Sequence, residues 1–373
     1  MSICIKKVKN KRDLDCFIRC YNQLYKDSPY IAYPLEFDER STLTEGRNPA
    51  HAVSESCYWV ARKNNKVVGR IAAIINHAES EKSDEPMGRF GFFDFIDDYE
   101  VSQTLMLTAL DWLKAKGIRV VHGPFGFTDL DRQGMLVDGF DREGTMATNY
   151  NHEYYIDHIE KLGFKKSIDW IEYLIETQSE VPEKIQRISQ FAQKKYCVRP
   201  LKVKSKKELK KYIPDMFDLI NNSYDDIYGF TSLTKKQIEY YGKNYIGFVK
   251  KELVSLVLDK EDKLVGIGIT MPSFTKALQK AKGKLFPLGW YHMLRALRKN
   301  DTLDMYLVAV HPQYQDKGVA AIMIDEIYRS ALSFGIKKVE TNIELENNHR
   351  VQSMWKYFDA EQHKRRRCYI KSI

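Results

Sequence analysis

Apolar runs of strand length alternate with stretches of helical spacing along this chain, and the pattern occurs twice. Lys63-Asn64-Asn65-Lys66-Val67-Val68-Gly69 predicts a hairpin turn feeding an apolar strand, Val67 to Ile75. Lys260-Glu261-Asp262-Lys263-Leu264-Val265-Gly266 repeats it later, with a strand from Leu264 to Met271. Each half then carries a helix ending in Gly-Ile-basic, at Gly117-Ile118-Arg119 and Gly335-Ile336-Lys337. A glycine there supplies the left-handed cap, and the apolar run after it starts a strand. Each half closes with a helix and a final strand: Tyr154 to Leu162 then Ile168 to Ile175, and Val351 to Phe358 then Arg366 to Ile370. The repeated order implies a tandem duplication of one α/β unit. Glu176 to Pro182 is a polar connector, and Ile185, Ile188, Phe191 and Ala192 have helical spacing over Glu183 to Lys195. A strand Val198 to Val203 follows. The expected division is 1–178 for a first, degenerate unit, 179–197 for a linker helix and 198–373 for the second unit.

One segment of the second half suggests chemistry. The apolar run Met305 to Val310 leads to Gln315-Asp316-Lys317-Gly318-Val319-Ala320, and a helical pattern runs from Val319 to Phe334. A strand, a tight loop and a helix start make an anion cradle, because the first helical N–H groups have no partner and the helix dipole adds positive charge. Gly318 is expected to let the backbone approach an anion closely, and Ala320 to keep the helix start slim. A turn with no ligand is the plain alternative. The matching stretch of the first half, Phe93 to Val101, has no glycine and four carboxylates (Asp94, Asp97, Asp98 and Glu100). Those charges would repel a diphosphate, so the first unit is expected to have lost this role.

Gln315, Gly318 and Ala320 fill the three fixed places of the phosphate loop Gln/Arg-x-x-Gly-x-Gly/Ala, and Val310-His311-Pro312-Gln313-Tyr314 leads into it with a strand end, a proline and an aromatic. On these residues the chain resembles the GNAT acyltransferase superfamily, closely over 200–373 and more loosely over 1–175. The resemblance implies an α/β (α+β) fold of two tandem GNAT-like units, each a twisted, mixed, mostly antiparallel sheet flanked by helices. It implies coenzyme A, as acyl-CoA, for the donor substrate. The matching positions are Leu307, Val308, Ala309 and Val310 on the strand, and Gln315, Asp316, Lys317, Gly318, Val319, Ala320 and Ala321 in the loop. Asn348 and Trp355 lie on the helix beyond. The family splays two central strands, here Leu303 to Val310 and Lys337 to Leu345, to hold the pantetheine. An amine then attacks the thioester directly.

The same resemblance raises the question of the general acid. Laying Asn348 on the first residue of the family pattern Asn-x-x-Ala-x-x-Leu-Tyr puts Trp355 where the tyrosine stands. An indole N–H donates a hydrogen bond but does not give up its proton. Tyr357 lies about 200° further round a helix. Candidate catalytic residues are Asp304 and Tyr306, expected to share a face with Val308, and Glu340, which alternates with Asn342, Glu344 and Glu346. That alternation equally describes an exposed strand face. Tyr228, in Tyr228-Gly229-Phe230-Thr231, falls in the loop that lines the acceptor pocket in the family, and His311 ends the strand.

Two further stretches bear on the acceptor. Gly123 to Thr128, Gly134 to Asp141 and Asn149 to Tyr155 are rich in glycine, aromatics and amides. They resemble a bacterial group of tandem GNAT proteins, some linked to acylation of long-chain sphingoid amines, and they are expected to line a pocket with Tyr228. A packing loop is the alternative. Residues 284–298 place Trp290, Met293, Leu294 and Leu297 on one helical face between basic ends. That profile fits a helix in a membrane interface or over an acyl chain, and equally a helix packed on the sheet.

The totals narrow the classes. The 373 residues carry a net charge of +9, which suits coenzyme phosphates, an anionic membrane or nucleic acid. No zinc-finger, RRM or homeodomain pattern is present, so no specific nucleic acid is expected. The six cysteines are scattered without metal-ligand spacing, so the expectation is free thiols, no metal and a cytoplasmic location, with peripheral membrane contact through 284–298 left open. With these totals, the resemblance implies an N-acyltransferase acting on a long-chain or small amine. A non-catalytic acyl-CoA sensor and a tRNA-dependent aminoacyl or peptidyl transferase of tandem architecture are the rivals. The intact phosphate loop argues against the second.

Overall fold

The computed structural model describes residues 2–245 and 247–373. The chain divides into two compact units. Unit 1 comprises Met1–Ile171, Phe274–Arg295 and Lys364–Ile373, and unit 2 comprises Glu172–Ser273 and Ala296–His363. The units are therefore interleaved, whereas the sequence suggested contiguous stretches at 1–178 and 198–373. Residues 274–295, which lie between two strands of unit 2, fold with unit 1, as does the C-terminal strand.

In chain order the strands are β1 (Cys4–Lys7), β2 (Ser54–Lys63), β3 (Lys66–Asn76), β4 (Met87–Phe95), β5 (Val120–Gly123), β6 (Met135–Asp138), β7 (Lys165–Glu176), β8 (Arg199–Pro200), β9 (Val254–Leu258), β10 (Leu264–Pro272), β11 (Thr302–Val310), β12 (Lys338–Glu340), β13 (Glu344–Leu345) and β14 (Asp359–Ser372). Unit 1 orders them β1-β2-β3-β4-β5-β14, antiparallel except for β4 and β5. Unit 2 orders them β8-β9-β10-β11-β12-β7, antiparallel except for β11 and β12. Each unit thus contains one parallel pair at the same place in the order, and each parallel pairing spans three residues. The helices follow the predicted caps. Tyr99–Ala115 ends before Gly117, and Val319–Ser333 before Gly335, both at positive φ.

The central hairpins are apolar because both faces are covered. In β3, Val68, Ile71, Ala73 and Ile75 join a core with Val101, Leu105 and Ala109 of the helix Tyr99–Ala115. Ala72 and Ile74 pack on the other face against Phe17 and Ile18. In unit 2, Val257 and Val265 pack against Val319, Ile322 and Met323 of the helix Val319–Ser333.

A one-residue slip in unit 2 sets the direction of the site. Ile269 pairs with Leu307 but Thr270 pairs with Met305, so Tyr306 is an extra residue on β11. Before this bulge, Leu303 and Met305 pack into the helix-covered core, and after it Val308 and Val310 do so. Val308 therefore lies on the face opposite Asp304, which corrects the expectation of a shared face. The strand expected over Lys337 to Leu345 is also not continuous. It breaks into β12 and β13, with 341–343 outside the ladder.

Unit 1 has the corresponding bulge on β4, between the pairs Arg70–Asp94 and Ala72–Gly91. Its edge, however, is filled. The Phe125 N–H donates to the Phe90 carbonyl (2.9 Å). The Phe95 N–H donates to the Tyr155 hydroxyl (2.9 Å), and the Phe95 carbonyl accepts from Tyr154 (2.6 Å) and Tyr155 (3.1 Å). The 123–155 loops are packed within unit 1: Phe125, Phe127 and Tyr150 are buried, and Asn151 bonds both backbone groups of Leu136 (2.6 and 3.0 Å).

This closure depends on Gly91, where a Cβ would stand 2.0 Å from the Phe125 carbonyl oxygen. Gly91→Ala is expected to destabilise the protein by about 1–3 kcal/mol through overpacking, read as a lower urea midpoint. An unchanged midpoint would contradict the seal.

Candidate active site

Strand β11 outruns its partner. It pairs with β12 only at Thr302–Lys338, Leu303–Val339 and Asp304–Glu340, while on its other side it pairs with β10 as far as Val310. Backbone groups beyond Asp304 must find other partners or stay available. The Tyr306 carbonyl accepts from Asn342 Nδ2 (3.0 Å), the Val308 carbonyl from Tyr224 Oη (2.8 Å) and the Val310 carbonyl from Ser223 Oγ (3.1 Å). In an extended strand the N–H and C=O of one residue point the same way. The N–H groups of Val308 and Val310 therefore face this open side, while those of Leu307 and Ala309 face β10. Ser223 and Tyr224 end the helix Ile213–Tyr224; the sequence pattern singled out Tyr228 instead, four residues beyond Tyr224.

The loop after β11 delivers the chain to the helix Val319–Ser333 without a side-chain cap. Its first helical hydrogen bond runs from Ile322 N–H to the Gly318 carbonyl (3.2 Å), so the N–H groups of Val319, Ala320 and Ala321 precede the helical ladder. Gly318 has φ +78°, and a Cβ there would stand 2.9 Å from Ala192 Cβ and 3.1 Å from Ile188 Cγ2. Gly318 is thus required by its left-handed backbone and by close contact with the helix Glu183–Tyr196. Arg350 bridges the loop, donating to Gln315 Oε1 (3.2 Å) and pairing with Asp316 (3.2 Å). Lys317 Nζ lies over the rings of Tyr314 (5.0 Å) and Tyr196 (5.6 Å).

Unit 1 uses the equivalent helix start differently. Asp98 caps Tyr99–Ala115, accepting from the Glu100 N–H (3.1 Å) and from Lys63 (2.7 Å). Its own carboxylate stands where an anion would.

Ionisable groups gather where β11 and β12 part. Asp304 and Glu340 occupy the last paired rung and are both buried. His363 Nε2 lies 3.4 Å from Glu340 Oε1. Glu340 is therefore not part of an exposed strand face. The position of Trp355 has a counterpart that alternation could not give: its indole N–H donates to Glu344 Oε1 (2.9 Å) and Oε2 (3.1 Å). Burial pushes the Glu344 carboxyl up to about 7, against the opposing pull of that indole bond. A carboxyl in this range exchanges a proton near neutrality, which the indole itself cannot do. Asn348 caps the helix His349–Trp355, accepting from the Val351 N–H (3.4 Å). Tyr228 is part-buried in the loop that follows Tyr224, beside the buried Phe230 and Thr231.

Residues 213–359 match the acetyltransferase (GNAT) family. The chain is 27% identical to Protein YghO of Escherichia coli (strain K12), covering 99% of this chain and 95% of that protein. It is 24% identical to a protein of Caulobacter vibrioides named bacterial ceramide synthase, covering 98% and 96%. Among solved structures, a tandem GNAT protein from the clavulanic acid biosynthesis pathway shares the fold at a TM-score of 0.58 and 10% identity, covering 100% of this chain and 98% of that one.

The raised carboxyl gives a pH signature. Glu344 is held above its ordinary value, so its neutral form contributes stability that is complete below about pH 4.5 and is lost as pH rises through about 7. Relative to Glu344→Gln, the wild type should lose several degrees of Tm between those pH values. A constant difference in Tm would contradict the assignment.

Proposed function

We propose that the chain, whose residues 213–359 match the GNAT family and whose fold is shared by a tandem GNAT protein, is an acyl-coenzyme A-dependent N-acyltransferase, that unit 2 carries the reaction and that the acceptor is a long-chain amine. The observation that carries the first part is an open strand edge leading directly to an uncapped helix start. Pantetheine amides would pair with the edge at Val308 and Val310, beside Leu307 and Ala309. The diphosphate would sit on the N–H groups of Val319, Ala320 and Ala321, with Gln315, Asp316, Lys317 and Gly318 shaping the loop. The fit rests on those unpaired donors and on Arg350, whose bridge to Asp316 a phosphate could replace.

The reaction needs a neutral amine, a polarised thioester carbonyl and a proton for the departing sulfur. The amine nitrogen attacks the carbonyl carbon, the C–S bond breaks, and its electron pair leaves with sulfur. We assign the proton delivered to that thiolate to Glu344, held by Trp355, because it stands with the one residue that displaces the usual tyrosine. Asp304 or Glu340 would take the proton released by the amine, with His363 beside Glu340. Tyr306, at the bulge, and Tyr228, in the loop after Tyr224, are proposed to border the acyl and acceptor positions. Support for a long-chain acceptor comes from the relative named bacterial ceramide synthase, which this chain matches over 98% of its length; a ceramide is the N-acyl amide of a long-chain amine.

Steady-state kinetics with palmitoyl-coenzyme A and a long-chain amine test this directly. Glu344→Gln should lower kcat by about 10²–10³-fold and remove the fall in rate above about pH 7, with coenzyme affinity retained. Wild-type kcat in that variant would overturn the role of Glu344. Ala320→Glu, which puts a carboxylate into the cradle, should weaken acyl-coenzyme A binding at least ~10-fold while preserving the unfolding midpoint. Unaltered affinity would move the donor site elsewhere.

A further inference from the structure

The stretch between β10 and β11 is electrically one-sided. From Phe274 to Asn300 it contains Lys276, Lys280, Lys282, Lys284, Arg295, Arg298 and Lys299 and no aspartate or glutamate. Part of it forms the helix Gly289–Arg298. Packing of that helix on the sheet through Trp290, Met293, Leu294 and Leu297 was one expectation. The structure buries Gly289 and Met293 and turns Trp290 and Leu294 outward. At about 100° per residue, Trp290, Leu294 and Tyr291 occupy the side away from Gly289, and Arg295 flanks them. Phe286 and Leu288, just before the helix, are exposed over 77% and 61% of their surface, and Trp290, Tyr291 and Leu294 over nearly half.

Five exposed apolar and aromatic side chains within nine residues, Phe286 to Leu294, are costly in water, and a cluster of this kind marks an interaction surface. Its occupant must accept apolar groups at the centre and present negative charge around them, because Lys282, Lys284 and Arg295 are exposed beside it. A folded protein partner or a second copy of this chain would have to supply an acidic rim. A bilayer with anionic headgroups offers both features together: acyl chains for Phe286 and Leu288, the interface for Trp290 and Tyr291, and phosphates for the lysines. Acids touch this stretch at Glu143, whose Oε1 accepts from Gln279 Nε2 (3.4 Å), and at Glu36. The Glu36 N–H donates to the Gly283 carbonyl (2.9 Å), while its carboxylate is engaged by Arg19 (3.4 Å). Trp290 keeps its indole N–H satisfied on the Pro287 carbonyl (2.9 Å), so burying the ring in lipid strands no donor.

We propose that residues 282–295 are a peripheral docking surface for an anionic lipid bilayer. No helix among the described residues is long and apolar enough to cross a membrane, so attachment through this surface lies on the membrane, not through it. The inference does not rest on the acceptor proposed above, and its test contains neither coenzyme nor amine.

The test is co-flotation of the full chain with vesicles of pure phosphatidylcholine or of phosphatidylcholine with phosphatidylglycerol, beside sedimentation velocity of the free protein. The expected result is binding to the anionic vesicles at least ~10-fold tighter than to neutral ones, weakening as salt rises. The triple variant Phe286→Ser/Leu288→Ser/Trp290→Ser should lose that binding and remain folded, since all three are exposed. Lys282→Glu/Lys284→Glu should lose it as well. Equal binding by these variants, or no binding to anionic vesicles by the wild type, would overturn the proposal. So would a dimer that the triple variant converts to monomer, which would assign the surface to a second copy of the chain.

Discussion

The site depends on a parallel strand pairing that stops after three residues. Thr302, Leu303 and Asp304 have partners on β12, and Met305 to Val310 have none there. A strand buried in a sheet cannot leave its backbone groups unmatched without cost. Here three carbonyls are matched by side chains from Asn342, Tyr224 and Ser223. The N–H groups of Val308 and Val310 lie on that same edge, where the proposed donor amides would pair. The bulge at Tyr306 makes this compatible with a continuous core, because it returns Val308 and Val310 to the helix-covered side while Asp304 stays on the other. The same divergence makes room at the last rung for two buried carboxylates and His363.

Unit 1 is the internal control for this account. It has the same strand order, the same short parallel pairing and a bulge on the equivalent strand. There the opened edge is closed by the chain itself, through the Phe125 backbone over Gly91 and the hydroxyls of Tyr154 and Tyr155 on Phe95. The helix start that could hold an anion is capped by Asp98 and the cap is neutralised by Lys63. Duplication preserved the scaffold, and a few side chains decide which copy has an open strand edge and a helix start without a side-chain cap.

Much of this was legible in the sequence because it is local. The hairpins at Asn64-Asn65 and Asp262, the helix caps at Gly117 and Gly335 and the loop Gln315 to Ala320 all follow from short-range rules. What was missed depends on contacts distant in sequence. Alternation cannot detect a one-residue bulge, so Val308 was placed on the wrong face. The close contacts of Gly318 with Ala192 and Ile188, far back along the chain, have no local signature either. Glu344 looked like one more residue of a polar strand until the break between β12 and β13 put it on Trp355. Interleaving of the two units at 274–295 has no local signature at all, although the absence of acidic residues there was available to a simple count.

The central claim is that one unit of the pair, and only that one, offers an open edge beside a free helix start. Calorimetric titration of the intact chain with palmitoyl-coenzyme A measures it most directly, through stoichiometry. The account predicts one molecule bound per chain. Two per chain would contradict the closure of unit 1, and none would mean that the edge of β11 and the loop after it form a turn without a ligand.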